Sequence, residues 1–383
     1  MPKTSANLGG AREAKFDEFY TQYHDIEKEM NAYLDFDKDV FRNKTILLPC
    51  DDPEWSDFTK YFAQNFEYLG LKKLISTSYA IDAKPAWLNL QLTLFETQNP
   101  KFNQKKARAN GKIFTLTRDT TGDKKVNVKD LEWEYLKGDG DFRSEEVTAL
   151  RNEADIIITN PPFSLFREFL EWIVAAGKKM VILGNMNAVT YKEVFPLIRE
   201  NKVWLGATRN GVGSMWFRIT DTAPQKSGQK VENGQRFQTV GSSAWFTNLD
   251  HGKRHQPLTL MTAADNVKFN KKLKEMDYQK YDNFDAIEVP FTDAIPSDYS
   301  GLMGVPISFL SKYNPDQFEI VGNMDDHDDM RRIGGQPISQ EFMHGYRAAG
   351  GTGAQRAGGY WVGLTNPHRF PFKRIFIRHR RAA

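Results

Sequence analysis

The chain reads Asn160-Pro161-Pro162-Phe163 directly after an apolar run, Asp155-Ile-Ile-Ile-Thr159. If that run is a parallel strand, the tetrapeptide sits at its carboxyl end, where α/β sheets hold their ligands. Consecutive prolines fix φ at both positions and aim the preceding carbonyl and the Asn side chain out of the sheet. An Asn oxygen and a proline-bound carbonyl can both accept hydrogen bonds from an exocyclic amine. Such acceptors draw the nitrogen lone pair out of the ring and ready it to attack a methyl sulfonium. Asn160 does this without adding charge, and Phe163 offers a face to a planar base. A Pro-Pro loop with a helix starting near Ser164 is the plainer alternative.

Other constellations stand where a ligand could meet the first. Pro49-Cys50-Asp51-Asp52-Pro53 follows the short apolar run Lys44-Thr-Ile-Leu-Leu48 and precedes a helical pattern. In a doubly wound sheet this first strand-to-helix turn receives a nucleoside cofactor. The turn lacks a Gly-rich dinucleotide fingerprint, and no P-loop occurs in the chain, so NAD and ATP lose support. Carboxylates there suit a ligand with hydroxyls and a cationic tail, or simply favour the helix N-terminus that follows. In Gly138-Asp-Gly-Asp-Phe142, Asp141 can accept from an amino group such as adenine N6 and Phe142 can cover a ring, unless the segment is only an Asp/Gly turn. Phe19-Tyr20-Thr21 lies upstream of the first central strand, and Thr21 could equally cap a helix.

These residues need a frame. Apolar runs at Lys44–Pro49, Lys73–Tyr79, Asp155–Thr159, Lys179–Gly184 and Val203–Leu205 alternate with helical patterns at 25–34, 57–71, 165–176 and 190–200. That alternation predicts a parallel, doubly wound α/β sheet. Residues 80–135 interrupt it as an insertion with a basic rim, including a hairpin pattern that pairs Ile113–Thr117 with Val126–Val128. Ser243-Ala-Trp-Phe-Thr247 reads as a further strand within a Gly-, Asn-, Thr- and Gln-rich stretch. The chain ends on Phe370-Pro-Phe-Lys-Arg-Ile-Phe-Ile-Arg-His-Arg-Arg381, which predicts a docked strand with a basic tip.

Composition narrows the class. In 383 residues, 52 Lys+Arg against 49 Asp+Glu leave +3, so any basic surface must come from local clustering. At 40% hydrophobic and 13% aromatic residues the chain can build a core, which excludes wholesale disorder. No apolar run approaches a membrane span, and the N-terminus has no secretory pattern. Cys50 is the only cysteine, which excludes a disulfide framework and a Cys-rich zinc module and points to a reducing cytoplasm.

The order of these motifs resembles the S-adenosylmethionine-dependent amino-methylating DNA methyltransferases, and more closely the EcoRI-type adenine-specific family. The resemblance runs from about Phe16 to the C-terminus. It includes Asp17-Glu-Phe-Tyr-Thr-Gln-Tyr23, Cys50-Asp-Asp-Pro53, Gly138-Asp-Gly-Asp-Phe-Arg143, Asn160-Pro-Pro-Phe163, Trp245-Phe-Thr-Asn248 and Phe370-Pro-Phe-Lys-Arg374. It implies a Rossmann-like methyltransferase sheet in residues 16–261, after a flexible tail at 1–15, and a target-recognition region at 262–383. It further implies that Tyr20 and Thr21 contact the methionine end of S-adenosylmethionine, that Cys50, Asp51 and Pro53 form the turn beneath it, and that Asp141 and Phe142 bind its adenine. Asn160 and the Pro161 carbonyl then hold the target N6, Pro162 keeps the loop rigid, and Phe163 stacks on a base flipped out of duplex DNA. Trp245 or Phe246 supplies a second wall, and Lys373, Arg374, Arg378 and Arg380 contact DNA. The expectation that goes with it is a monomer acting on double-stranded DNA, in functional pairing with a restriction endonuclease or as an orphan modification enzyme. One departure is the second strand, which ends Ser76-Thr-Ser-Tyr79 without the acidic residue common there for the ribose hydroxyls. An RNA or protein-glutamine methyltransferase with the same catalytic loop, and a DNA-binding protein with a dead methyltransferase fold, are the alternatives.

Overall fold

Runs such as Thr45–Leu48 and Ile156–Thr159 have no polar face, so they need neighbours on both sides; each is buried along its whole length. The computed structural model describes residues 20–49, 51–52, 56–80, 101–208, 215–219, 223, 225–240, 242–273, 276–352 and 361–380. The expected tail at 1–15 lies outside them. The chain divides into two compact units, Met1–Met186 with Leu205–His251 and Asn187–Trp204 with Gly252–Ala383.

The first unit begins with Tyr20–Thr21 (β1) and helix Tyr23–Phe36 (α1). Next come Thr45–Leu48 (β2), helix Asp57–Gln64 (α2) and Lys73–Ser78 (β3). A further short helix, Phe66–Leu69, ends at Gly70, whose φ of 63° is the left-handed stop its sequence position predicts. Lys112–Leu116 (β4) and Glu132–Tyr135 (β5) precede helix Glu145–Glu153 (α3). After these run Ile156–Thr159 (β6), helix Phe166–Val174 (α4), Lys179–Asn185 (β7) and Trp204–Leu205 (β8). Met215–Ile219 (β9), Gln229–Glu232 (β10), Gln235–Val240 (β11) and Ser243–Thr247 (β12) follow.

The main sheet has the order β5-β4-β3-β2-β6-β7-β12-β8. Its centre, β3-β2-β6-β7, is parallel, whereas β4, β5 and β12 pair antiparallel. The sheet is therefore mixed, not wholly parallel as the sequence predicts. The expected hairpin also differs: β4 pairs with Glu132–Tyr135, because Asn127 caps a short turn at Val128–Asp130 through a reciprocal bond with Asp130. The segment thus extends the main sheet. A second sheet, β1-β9-β11-β10, is antiparallel and had no counterpart in the sequence reading.

The second unit holds Ala286–Glu288 (β13), Leu302–Pro306 (β14), Phe318–Asn323 (β15), the pair Leu364–Thr365 (β16) and His368–Arg369 (β17), and Arg374–His379 (β18). The C-terminal strand is indeed docked, between β14 and β15 in the order β13-β14-β18-β15. Among the described residues no helix is long and apolar enough to cross a membrane.

Candidate active site

Parallel pairing fixes which turns meet. Ile46 and Leu47 of β2 lie opposite Ile156 and Ile157 of β6, so both strands release their chains at the same edge of the sheet. There the Thr159 hydroxyl lies 2.9 Å from the Pro49 carbonyl and 2.5 Å from Asp51 Oδ2. The residue before Asn160 is thereby tied to the acidic turn. Beyond it Pro161 is buried, while Asn160, Pro162 and Phe163 are half-buried. Pro162 has φ −54° and its carbonyl accepts from Leu165 N at 2.9 Å, closing a short turn at Phe163–Leu165 before α4. Phe163 packs partly against the core of the first unit.

Asp51 is the electrostatic centre of this edge. It is buried, and Ser56, the cap of α2, donates to its Oδ1 at 2.7 Å. Its backbone carbonyl accepts from Thr59 Oγ1 at 2.9 Å and from the Ser76 hydroxyl. Burial pushes its carboxyl up from 3.8 to about 7, against the bonds from Thr159 and Ser56 and with the help of neighbouring Asp52. Proton counting agrees. Thr159 has one hydroxyl proton but faces the Pro49 and Asp51 oxygens, and a protonated Asp51 supplies the second. Cys50 and Pro53 lie outside the described residues.

A carboxyl raised on folding stabilises the native state at low pH, and that contribution is lost as pH rises through the folded value. Between 3.8 and about 7 the cost approaches, at roughly 1.4 kcal/mol per unit, an upper bound of about 4 kcal/mol. Without ligand, Asp51→Asn is therefore expected to melt higher than wild type at pH 8 and to lose the advantage near pH 4. Parallel melting curves across that range would contradict the assignment.

The Gly138–Phe142 segment lies against the end of β3. Gly140 has φ +88°, and a Cβ there would stand 2.5 Å from the Ser78 carbonyl, so only glycine fits. Asp141 is held by Arg143, through the Arg143 backbone N–H at 2.9 Å and an ion pair at 3.0 Å. Phe142 is 1% exposed and packs edge-to-face on Phe169 and Trp172, at 5.0 and 5.5 Å. Its ring is core, and the expectation that it covers a ligand's face does not fit that burial. Tyr20 is half-buried under the Arg218 guanidinium, 5.6 Å away, whereas Thr21 is buried with its hydroxyl unpartnered among the described residues.

The second aromatic wall needs the same correction. Trp245 and Phe246 are fully buried in β12, where Trp245 meets Phe58 and Phe246 meets Phe166. Neither has a face to offer a base. The residues that pattern reading missed are Ser56, Thr59, Ser76 and Thr159, which hold the acidic turn. A detectable signal was present in β3, where Ser76-Thr77-Ser78 puts hydroxyls in a strand that is otherwise apolar and buried.

Within the second unit the C-terminal cations are engaged. Lys373 pairs with Asp325 at 3.0 Å and Arg378 with Glu319 at 2.7 Å, while Arg380 donates to the Pro315 carbonyl at 2.5 Å. Lys373 and Asp325 are largely buried, whereas Arg378 and Glu319 are exposed, so that weak surface pair can exchange for a phosphate. Arg374 cannot. It is buried against Glu288, which corrects its expected place among the DNA contacts. Arg254 is also buried and stacks 3.7 Å from the Trp204 ring centroid.

Comparison with known proteins adds an independent line. The family model described as adenine-specific methyltransferase EcoRI matches residues 7–379. The Type II methyltransferase M.EcoRI of Escherichia coli is 41% identical over 320 residues, 83% of this chain and 89% of the relative. The Type II methyltransferase M.MgeORF184P of Mycoplasma genitalium is 37% identical over 315 residues, 81% of this chain and 84% of the relative. M.MpnI of Mycoplasma pneumoniae is 34% identical over 315 residues, covering 81% and 83%. No solved structure matches.

Proposed function

The chain belongs to the adenine-specific methyltransferase EcoRI family and is a DNA adenine methyltransferase, and from that premise we propose that it moves a methyl group from S-adenosylmethionine to N6 of an adenine flipped out of duplex DNA. The observation that carries this reading is the 2.5 Å bond between Thr159 and Asp51, which holds the Asn-Pro-Pro-Phe loop and the acidic turn at one sheet edge. A donor and an acceptor lying side by side are what direct transfer requires.

The residues fit such a cofactor. Hydroxyls of Thr21 and Ser78 are buried without partners among the described residues. On this reading Thr21 and Asp51 serve the methionine end and Asp141 the adenine. The bound cofactor supplies an electrophilic methyl on sulfur. The protein orients the amine: Asn160 and the Pro161 carbonyl accept hydrogen bonds from its N–H groups, which localises the lone pair toward the methyl; as the N–C bond forms the S–C bond breaks, and N6 gives up one proton to solvent. Phe163 stacks on the extruded base, returning roughly 1–3 kcal/mol of the cost of flipping. The mixed sheet is read as Rossmann-like, residues 262–383 as the recognition region, and the role as Type II modification. Incorporation of labelled methyl into duplex DNA, RNA and protein tests this; label in RNA or protein but not DNA overturns it.

With 2-aminopurine at the target adenine, Phe163→Ala is expected to show a smaller fluorescence rise on binding and at least tenfold slower turnover. DNA affinity should change far less, because phosphate contacts lie elsewhere. A variant that melts lower yet keeps the full fluorescence change would mark Phe163 as a packing residue only.

A further inference from the structure

Among the described residues β3 ends at Ser78 and the chain runs on to Ala80 without an acidic side chain, and the geometry of the strand bears on what a ligand would meet there. Side chains alternate along a strand, so Ser76 and Ser78 share one face. That face is defined by Ser76, whose hydroxyl donates to the Asp51 carbonyl and lies 3.0 Å from Thr59 Oγ1 of α2. One pleat further toward the carboxyl end, Ser78 is 2% exposed and its hydroxyl has no hydrogen-bond partner among the described residues. Buried polar side chains are nearly always bonded, so an orphan at a strand end beside a ligand turn asks for a ligand atom.

The backbone of the same residue is held from the other side. The Ser78 carbonyl stands 2.6 and 2.5 Å from where side chains on Gly111 and Gly140 would begin, and Ala80 N donates to the Asp139 carbonyl at 2.8 Å. Ser78 therefore lies between the Asp51 turn and the Asp139–Asp141 turn. In a nucleoside linked through its 5′ carbon to sulfur, the ribose is what lies between base and sulfonium. We propose that Ser78 binds a ribose hydroxyl of the cofactor through its side-chain oxygen, a neutral ligand in the place of a carboxylate. This rests on the reading that the two turns hold the two ends of S-adenosylmethionine. A serine hydroxyl both donates and accepts, as does a ribose hydroxyl, so the pairing needs no change of charge.

Titration calorimetry of S-adenosylhomocysteine and of its 2′-deoxy and 3′-deoxy analogues, on wild type and Ser78→Ala, tests the proposal. Wild type is expected to bind one deoxy analogue about two- to tenfold more weakly than the full ribose, the range for one neutral hydrogen bond. Ser78→Ala should bind the full-ribose ligand more weakly by the same factor and show no further loss with that analogue, as a closed double-mutant cycle requires. Its ligand-free melting temperature should stay level or rise, since no protein partner is lost. A deoxy penalty that persists undiminished in Ser78→Ala, or a ligand-free variant that melts lower, overturns the assignment. Wild type that binds none of the three ligands overturns the cofactor reading instead.

Discussion

Replacing Asn160 with alanine is expected to slow methyl transfer by about 10²–10³-fold, the usual cost of one oriented group at a transition state, while cofactor affinity changes by less than about twofold. The separation follows from position. Asn160 stands one residue beyond Thr159, whose hydroxyl is the group bonded to the Pro49 carbonyl and to Asp51. Removing the Asn160 carboxamide therefore leaves the Asp51 network with all its partners. What is lost is an acceptor for the amine, so the nitrogen lone pair stays delocalised into the adenine ring. Single-turnover rates with cofactor and DNA both saturating isolate this step from binding and release. The contrast is Thr159→Val, which keeps Asn160 but removes the link at 2.5 Å; there cofactor binding and rate should fall together. An Asn160→Ala enzyme with near-normal single-turnover rate would remove the side chain from the chemistry.

The parts of the molecule that were legible beforehand are those whose signal is local. Apolar runs gave β2, β3, β6 and β7 to within a residue or two. The Asn-Pro-Pro-Phe loop was placed by the strand before it. The second sheet was missed because β11 reads Gln-Arg-Phe-Gln-Thr-Val, with only partial burial and no apolar run. Yet Asn233 and Gly234, with φ of 51° and 75°, mark a tight hairpin between β10 and β11 that the Asn-Gly pair itself announces. Glu29 teaches a related lesson. It falls on the same stripe of α1 as Ile26, Met30 and Tyr33 and is fully buried. There it accepts from Tyr33 Oη at 2.6 Å and from the backbone N–H groups of Ala207 and Thr208, each at 2.8 Å. An acidic residue on an apolar helical stripe asks for buried donors, but the backbone donors here are 178 and 179 residues away. Aromatic pairs such as Trp245-Phe246 mislead for a different reason: a ring in a buried strand and a ring at a ligand look alike until burial is known.

Arg374→Ala is expected to destabilise the protein by about 3–5 kcal/mol, the usual cost of removing one partner from a buried ion pair. The residue begins β18, and its guanidinium faces Glu288 with Nε 3.1 Å from both carboxylate oxygens and Nη2 2.5 Å from one of them. The two side chains are only 9% and 4% exposed. Alanine leaves the Glu288 carboxylate buried with the Tyr281 hydroxyl as its remaining side-chain partner among the described residues, and a lone hydroxyl does not balance a desolvated charge. The alternative role, a phosphate contact, makes the opposite forecast: unchanged melting, weaker DNA binding, and a salt slope reduced by about one. Urea unfolding beside DNA titrations at several salt concentrations separates them. The decisive control is the double variant Arg374→Met with Glu288→Leu, which removes both charges while keeping apolar volume. Because the destabilisation comes from the stranded carboxylate and not from the missing bond, the double variant should recover most of the loss. If it is no more stable than Arg374→Ala, the pair contributes net attraction, and the sheet β13-β14-β18-β15 depends on the charges themselves.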